Sequence, residues 1–477
     1  MKSRWGGTVA AGCAAWLLLG PTLVGCRRGT SRDSWAVKNL VLVSLDTLRG
    51  DRLGAERNGE PITPRLDAFA ARAVRFTNCR SASGHTLASH KALLSGRLPL
   101  VWLEMFSKAL PARPALVDAN GYYRAALKEW PEPSVAERLK DAGYATAGFA
   151  DGGYVSRRFG FAEGFDHYVS RRRGMARQCA VARRWLESRE GRPFFLFVHT
   201  YDIHCPYDPP PRYLRLFGHR CHGRLEFEGT CGKPYFNGLD LTEDEREHIR
   251  IHYDAGVRSA DDTLADFLDW LESAGHLRDT AVIITSDHGE SLGERSFVGH
   301  GELYDNQLLV PLVVYVPGLA PTVIDAAVSG VDVGATILDL LTGQVPDSLD
   351  GRSLLGLMAD EGRDTADRAW VASVTVNEGR RATTRLRKTA TMEAGGLKLI
   401  ADPDGGTIEL FDLARDPGET RDLVGTGDPR EGRARELARR ATPGPLRGVG
   451  EQEEDLEQEG LPLETVEALR ALGYVED

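Results

Sequence analysis

The sequence predicts an α/β fold, a mostly parallel central sheet flanked by helices, followed by a small C-terminal antiparallel subdomain. Three observations predict it. Short strand-like runs at residues 40–44, 194–199, 281–285 and 312–316 alternate with helix-like stretches such as 64–73 and 262–274, the pattern of a parallel sheet covered on both faces. Two of these runs end in polar clusters, and open α/β sheets gather ligands at the carboxyl ends of their strands. Beyond residue 359, four short strand-like runs at 370–374, 388–392, 397–401 and 409–413 follow without a helix between them.

Residues 1–25 read as an export leader, with Lys2 and Arg4 at a positive start and an apolar stretch over 9–19. That stretch is short for a membrane span of ~20 apolar residues. The ending Leu23-Val24-Gly25-Cys26 resembles a bacterial lipobox, which implies diacylation of Cys26 and a membrane contact through that lipid anchor. An ordinary secretory signal cut near Gly25 is the alternative. Residues 26–37 would be a tether, and the expected location is the bacterial cell envelope, facing the periplasm or exterior. Losing Lys2 and Arg4 would take the formal charge from −10 to about −12. An acidic chain gives no reason to expect nucleic-acid binding. Export permits disulfides; Cys221 and Cys231 flank a Gly-containing loop and are the expected pair, with Cys205 as the competing partner.

A catalytic domain is expected over residues 38–358. Its first strand runs into Asp46, and Thr63-Pro64 opens a helix. Residues 83–99, Ser-Gly-His-Thr-Leu-Ala-Ser-His-Lys-Ala-Leu-Leu-Ser-Gly-Arg-Leu-Pro, place the hydroxyl of Thr86 at the start of a helix that Gly96 can close. The strand at 281–285 runs into Ser286-Asp287-His288-Gly289-Glu290. Asp46, Thr86, Asp287 and His288 are therefore candidate ligands of one divalent metal ion. Carboxylates, an imidazole and a hydroxyl suit zinc or manganese better than the all-oxygen cage of calcium. A metal-bound hydroxyl at the positive end of a helix is easier to deprotonate, which makes Thr86 a candidate nucleophile; threonine also caps helices without any chemistry.

His204 and His300 are candidates to protonate a departing alcohol or hold a nonbridging oxygen. His85, His90 and Lys91 are candidate substrate-binding residues, and Glu290 a candidate to orient His288. A resemblance to metal-dependent phosphodiesterases would imply an alternative two-metal plan that recruits Asp202, His204 and His300 to a second cation; one metal is the favoured reading. The long Pro-rich loops at 100–135 and 206–241 are expected to wall the pocket. Residues 359–424 would form the small α+β subdomain and 425–477 a charged helical tail, with a capped helix at 428–441 and an acidic run at 451–459.

Five stretches carry a resemblance: Leu40-Val41-Leu42-Val43-Ser44-Leu45-Asp46-Thr47-Leu48-Arg49, Thr63-Pro64-Arg65-Leu66-Asp67, residues 86–96, His204-Cys205-Pro206-Tyr207 and residues 285–289. In this order they resemble the sulfatase branch of the alkaline-phosphatase superfamily. The resemblance implies a metal-dependent hydrolase of an anionic ester, a sulfated or phosphorylated glycan, lipid or small molecule. Typical sulfatases carry Cys or Ser in Cys/Ser-x-Pro-Ser-Arg, matured to formylglycine; here the aligned residues are Thr86, Leu87, Ala88, Ser89 and His90. Their usual second acid is Thr47, which argues against their calcium site. Threonine nucleophiles occur instead in phosphoryl-transferring relatives such as lipoteichoic acid synthases and phosphoethanolamine transferases. The expectation is phosphodiester or phosphonate cleavage through a covalent phosphothreonine, with sulfate ester hydrolysis as the family default. Phosphoryl transfer to envelope glycans or lipids, and an inactive sulfatase-like binding lipoprotein, are the alternatives.

Overall fold

Strand β1 (Asn39–Leu45) is buried along its whole length, which is why its apolar residues run without the alternation of a half-exposed strand. The structure is a computed structural model describing residues 35, 37–99, 130, 132–189, 191–218, 241–359, 370–378, 385–393, 396–401 and 408–441. The leader, Cys26, Cys221, Cys231, much of both expected pocket loops and the acidic run lie outside these residues.

The main sheet continues with β2 (Val74–Arg80), β3 (Ala145–Ala150), β4 (His167–Ser170), β5 (Phe194–Thr200), β6 (Thr280–Thr285), β7 (Leu309–Tyr315), β8 (Thr322–Ile324) and β9 (Val328–Ser329). Their spatial order is β8-β2-β7-β6-β1-β5-β3-β4, with β9 also on β2. All run parallel except β7, which is antiparallel to both β6 and β2. β7 carries Pro311, and its register with β2 shifts between Val310 and Leu312, as expected where a residue has no N–H for the ladder.

Helices α1 (Pro64–Ala70), α2 (Thr86–Ser95), α3 (Val135–Asp141), α4 (Met175–Ser188), α5 (Pro211–Leu216), α6 (Glu243–Ser273), α7 (Asp305–Leu308), α8 (Val331–Thr342) and α9 (Leu355–Ala359) cover the two faces. Strand periodicity sorts the core. Val41, Val43 and Leu45 pack toward α4 and α6, while Leu40 and Leu42 pack toward α3 and α8. The predicted helix at 262–274 is the last third of α6, which starts at a capping box between Thr242 and Glu245. The part before residue 262 escapes a periodicity reading because some buried positions are polar. Asp254 accepts from Arg52 and Arg57, and Asp261 accepts from the N–H groups of Arg65 and Leu66.

The C-terminal strands β10 (Trp370–Glu378), β11 (Arg385–Glu393), β12 (Leu397–Ala401) and β13 (Ile408–Asp412) form an antiparallel sheet in sequence order. Helix α10 (Glu431–Ala441) sets Ala434 against Leu397, Leu399 and Leu410. The sheet is tied to the main body by a buried charge group: Nζ of Lys398 lies 2.7 Å from both Asp305 and Glu419. Arg80 reaches the other side of Asp305 at 2.5 Å. Cys205 is engaged in a disulfide, and Cys79 and Cys179 are buried thiols outside any disulfide. Among the described residues no helix is long and apolar enough to cross a membrane.

Candidate active site

The register of the three central strands sets the site. Ser44 of β1 is level with His199 of β5 and with Thr285 of β6, so Asp46, His199 and Asp287 emerge at the same carboxyl edge. Nε2 of His199 lies 3.2 Å from Oδ2 of Asp46. Oδ1 of Asp287 accepts from the N–H of Thr47 at 3.3 Å. Its Oδ2 lies 3.3 Å from ring nitrogens of both His90 and His288. Thr47 stands in the left-handed region, φ 60°, a conformation threonine rarely adopts.

Helix α2 brings the hydroxyl. Its N-cap is His85, whose Nδ1 accepts from the N–H of Leu87, and Gly96 closes it at φ 70°. Thr86 is thus the first residue inside the helix and not its cap. Oγ1 of Thr86 lies 3.2 Å from Nε2 of His288. The carbonyl of Gly289 holds Nδ1 of His288 at 2.8 Å, leaving Nε2 turned toward Thr86 and Asp287. The approach needs glycine: a Cβ on Gly84 would stand 2.4 Å from the carbonyl oxygen of Glu302, and one on Gly289 2.4 Å from that of Asn306.

Asp46, Thr86, Asp287 and His288 are all buried and come together. His204 and His300 stand alongside, the His300 ring centroid 4.4 Å from that of His288 and 5.0 Å from that of His204. The other candidates fall differently. His85 caps α2 and packs its ring on Tyr154. His90 is fully buried, with Nε2 2.9 Å from Ser44 Oγ and Nδ1 on the Thr86 carbonyl; it braces the acids from inside the protein. Lys91 is buried with its ammonium over the Trp130 ring. Asp202 caps α4, accepting from the N–H of Met175. Glu290 pairs with Nδ1 of His300 at 3.0 Å, where His288 had been the expected partner. His199 is not among the sequence candidates; its place near the end of a buried strand beside that of Asp46 is the signal that points to it.

The electrostatics follow from burial. Burial and the neighbouring Asp287 push the Asp46 carboxyl well above the usual range. Burial alone would raise Asp287 too, but His288 and His90 hold it well below. Burial lowers His204 to about 3 and His85 to about 4, and takes His300 and His199 well below their ordinary value.

The chain matches the family described as Sulfatase over residues 38–343, well over half its length. It belongs to the sulfatase family. A second match, to the C-terminal region of N-sulphoglucosamine sulphohydrolase, covers 293–439. An arylsulfatase of Clostridium perfringens (strain 13 / Type A) is 22% identical over 466 residues, covering 82% of this chain and 91% of that protein. The multifunctional alkaline phosphatase superfamily protein PehA of Trinickia caryophylli is 30% identical over 207 residues, 37% of this chain and 39% of its own length. The crystal structure of the phosphonate monoester hydrolase of Agrobacterium radiobacter superposes with a TM-score of 0.67 at 19% identity, covering 85% of this chain and 94% of that one. That likeness speaks for the fold.

Sulfatases typically use a divalent metal, and the donors present fit one. One ligand atom from each of Asp46, Asp287 and His288 lies within 4.8 Å of the others. Oδ1 of Asp46 and Oδ2 of Asp287 are buried without a hydrogen bond, and two such oxygens on adjacent acids are what a cation satisfies. As a member of the sulfatase family, the protein is an ester hydrolase.

Proposed function

We propose that this protein cleaves phosphodiester or phosphonate monoester bonds through Thr86 in the bacterial cell envelope, with sulfate esters as poorer substrates. The observation that carries the reading is the Thr86 hydroxyl 3.2 Å from His288, itself a member of the Asp46–Asp287–His288 cluster. Asp46, Asp287, His288 and Thr86 would hold one divalent ion, zinc or manganese by donor type. Bound there, the ion supplies positive charge that favours the Thr86 alkoxide and draws in the anionic ester.

Oγ1 of Thr86 attacks phosphorus, the new Thr–O–P bond forms and the ester P–O bond breaks. The proton that Thr86 gives up passes by way of the neutral imidazoles on the His204–His300 side to the departing alcohol, and water then attacks the threonine–phosphorus ester, returning the hydroxyl and releasing the acid. A threonine ester has no second hydroxyl on its carbinol carbon, so it cannot be released by elimination to a carbonyl as a formylglycine hydrate ester can. Its resolution needs attack at the central atom, which favours phosphorus. The lipobox-like leader and Cys26 support an envelope location and a lipid anchor.

The test compares matched aryl sulfate, phosphate monoester, phosphodiester and phosphonate substrates for the chain from Arg27 onward and for Thr86→Ala. Phosphodiester or phosphonate turnover abolished by Thr86→Ala is the expected result. Aryl sulfate turnover that survives Thr86→Ala would overturn the threonine mechanism, and inactivity on every ester would favour a binding role.

A further inference from the structure

We propose that Arg295 is a positioning residue for His300, which it serves by anchoring the turn of a short hairpin to the C-terminal sheet. This rests on the reading that the proton for the departing alcohol passes along the His204–His300 side. Ser291–Leu292 and Val298–Gly299 pair antiparallel, with Ser291 opposite Gly299. Glu290 and His300 flank this hairpin, and Oε1 of Glu290 lies 3.0 Å from Nδ1 of His300. The His300 ring centroid is 4.4 Å from that of His288. Whatever fixes the hairpin therefore fixes His300 against His288.

The turn is held in an unfavourable shape. Arg295 stands at φ 55°, ψ 27° and Ser296 at φ 57°, two successive left-handed residues where turns ordinarily supply Asn or Gly. Arg295 is exposed, so no core packing calls for a side chain there, and glycine would remove the strain at that residue. Strain of this kind persists where surrounding contacts over-determine the conformation. Here the guanidinium makes those contacts. Its central carbon lies 3.8 Å from the Tyr304 ring centroid and 5.5 Å from that of Phe411, and one of its nitrogens donates to the carbonyl of Glu419. A planar guanidinium stacks on rings by its face and donates from its edge, so a single side chain can hold the turn in one place.

The surface it grips belongs to the C-terminal sheet. Phe411 lies in β13, and the Tyr304 hydroxyl donates to Glu409 of the same strand at 2.9 Å. Leu303, Leu308, Ile400 and Phe411 pack as one buried group, which seats the segment after His300 on β12 and β13. The start of the hairpin is held separately: Nη1 of Arg49 donates to the carbonyl of Glu290 at 3.0 Å and to Glu294 at 2.7 Å. Arg49 thus fixes the chain entering the hairpin, and Arg295 the turn from which it returns to His300. Without the Arg295 side chain the fold and the entry stay in place, while the return and the direction of the His300 ring are freed.

The metal-loaded full chain and its Arg295→Gly, Arg295→Lys and His300→Gln variants are assayed on two phosphodiesters, one releasing a nitrophenol and one an alkyl alcohol, beside thermal melts. A nitrophenolate departs with little help from a proton, whereas an alkoxide needs one. Arg295→Gly, relieved of backbone strain, is expected to melt at or above the wild-type midpoint. Its kcat on the alkyl ester is nonetheless expected to fall by about 10–100-fold with KM unchanged, and its nitrophenyl turnover to stay within about threefold. Arg295→Lys keeps a cation over the Tyr304 ring and is expected to recover most of that loss. Full alkyl-ester turnover in Arg295→Gly, or an equal loss on both esters, would overturn the positioning role; an alkyl-selective loss in His300→Gln would then leave the proton route standing. Equal losses on both esters in His300→Gln would overturn the proton route and the role of Arg295 with it.

Discussion

Oγ1 of Thr86 and Nε2 of His288 lie 3.2 Å apart, with His85 taking the cap of the helix that Thr86 begins. The cap and the candidate nucleophile are therefore separable. Thr86→Ser keeps a hydroxyl at the same place and is expected to retain activity within about tenfold. Thr86→Ala is expected to lower kcat by about 10³-fold or more while leaving the thermal midpoint nearly unchanged. Steady-state kinetics beside a thermal melt separates the two roles.

Chelation should destabilise the protein as well as inactivate it. Oδ1 of Asp46 and Oδ2 of Asp287 are buried and make no hydrogen bond, so the folded state gains whatever a bound cation contributes. For a ligand of the native state present at 1,000 times its Kd, that is about 4 kcal/mol. Calorimetric melts with and without a chelator should differ by several degrees, and zinc or manganese should restore the midpoint. Identical melts would mean that this cluster holds no ion.

His90 touches the Asp287 carboxylate, Ser44 and the Thr86 carbonyl at once, which makes it a positioning residue. Replacing such a brace typically lowers metal affinity by about 10–100-fold. For His90→Leu the expected outcome is that loss in a competition titration, with far-UV circular dichroism unchanged. Unaltered affinity would reduce His90 to a packing role.

How far the sequence could be read depends on where polar residues lie. The strands ending in Asp46 and Asp287 were legible because both faces of a buried parallel strand must be apolar, and chemistry begins where that run stops. Thr86 and His90 are four residues apart and share a face of α2, so both were drawn to the site. Spacing alone could not say that Ser44 and Asp287 would enclose His90. Glu290 was matched to its sequence neighbour His288, but the hairpin that turns it onto His300 is only two residues a side, too short for a periodicity signal. The part of α6 before residue 262 shows no clear periodicity because Asp254 and Asp261 are buried acids whose partners lie about two hundred residues away.

The join between the sheet of β10–β13 and the main body should show a pH dependence of known sign. Burial alone would raise the Asp305 carboxyl, but Lys398 and Arg80 hold it well below the usual range. A carboxyl lowered on folding contributes stability fully above its unfolded value of about 3.9 and loses it as pH falls through the folded value. Wild-type stability should therefore drop below about pH 4. Asp305→Asn should flatten that acid limb and, by leaving Lys398 and Arg80 short of a partner, lower stability at pH 7 by about 3–5 kcal/mol. Urea titrations from pH 3 to 7 on both proteins check both effects.

Gly84 tests whether the close fit of the nucleophile loop matters for the chemistry. A Cβ there would meet the backbone oxygen of Glu302 at 2.4 Å, and a carbonyl within a packed loop has no rotamer by which to yield. Gly84→Ala must therefore push residues 83–86 and the loop around His300 and Glu302 apart. Overpacking of this kind costs about 1–3 kcal/mol of stability, which a fold of this size can absorb. Catalysis is less forgiving: a displacement of about 1 Å between reacting groups is enough for a loss of about 10²-fold. The expected variant is folded, modestly less stable, and reduced at least about a hundredfold in kcat, with Gly84→Ser no better because it carries the same Cβ. Full activity in a folded Gly84→Ala protein would show that the loop can relax without disturbing Thr86, and that the contact with Glu302 plays no part in holding the nucleophile.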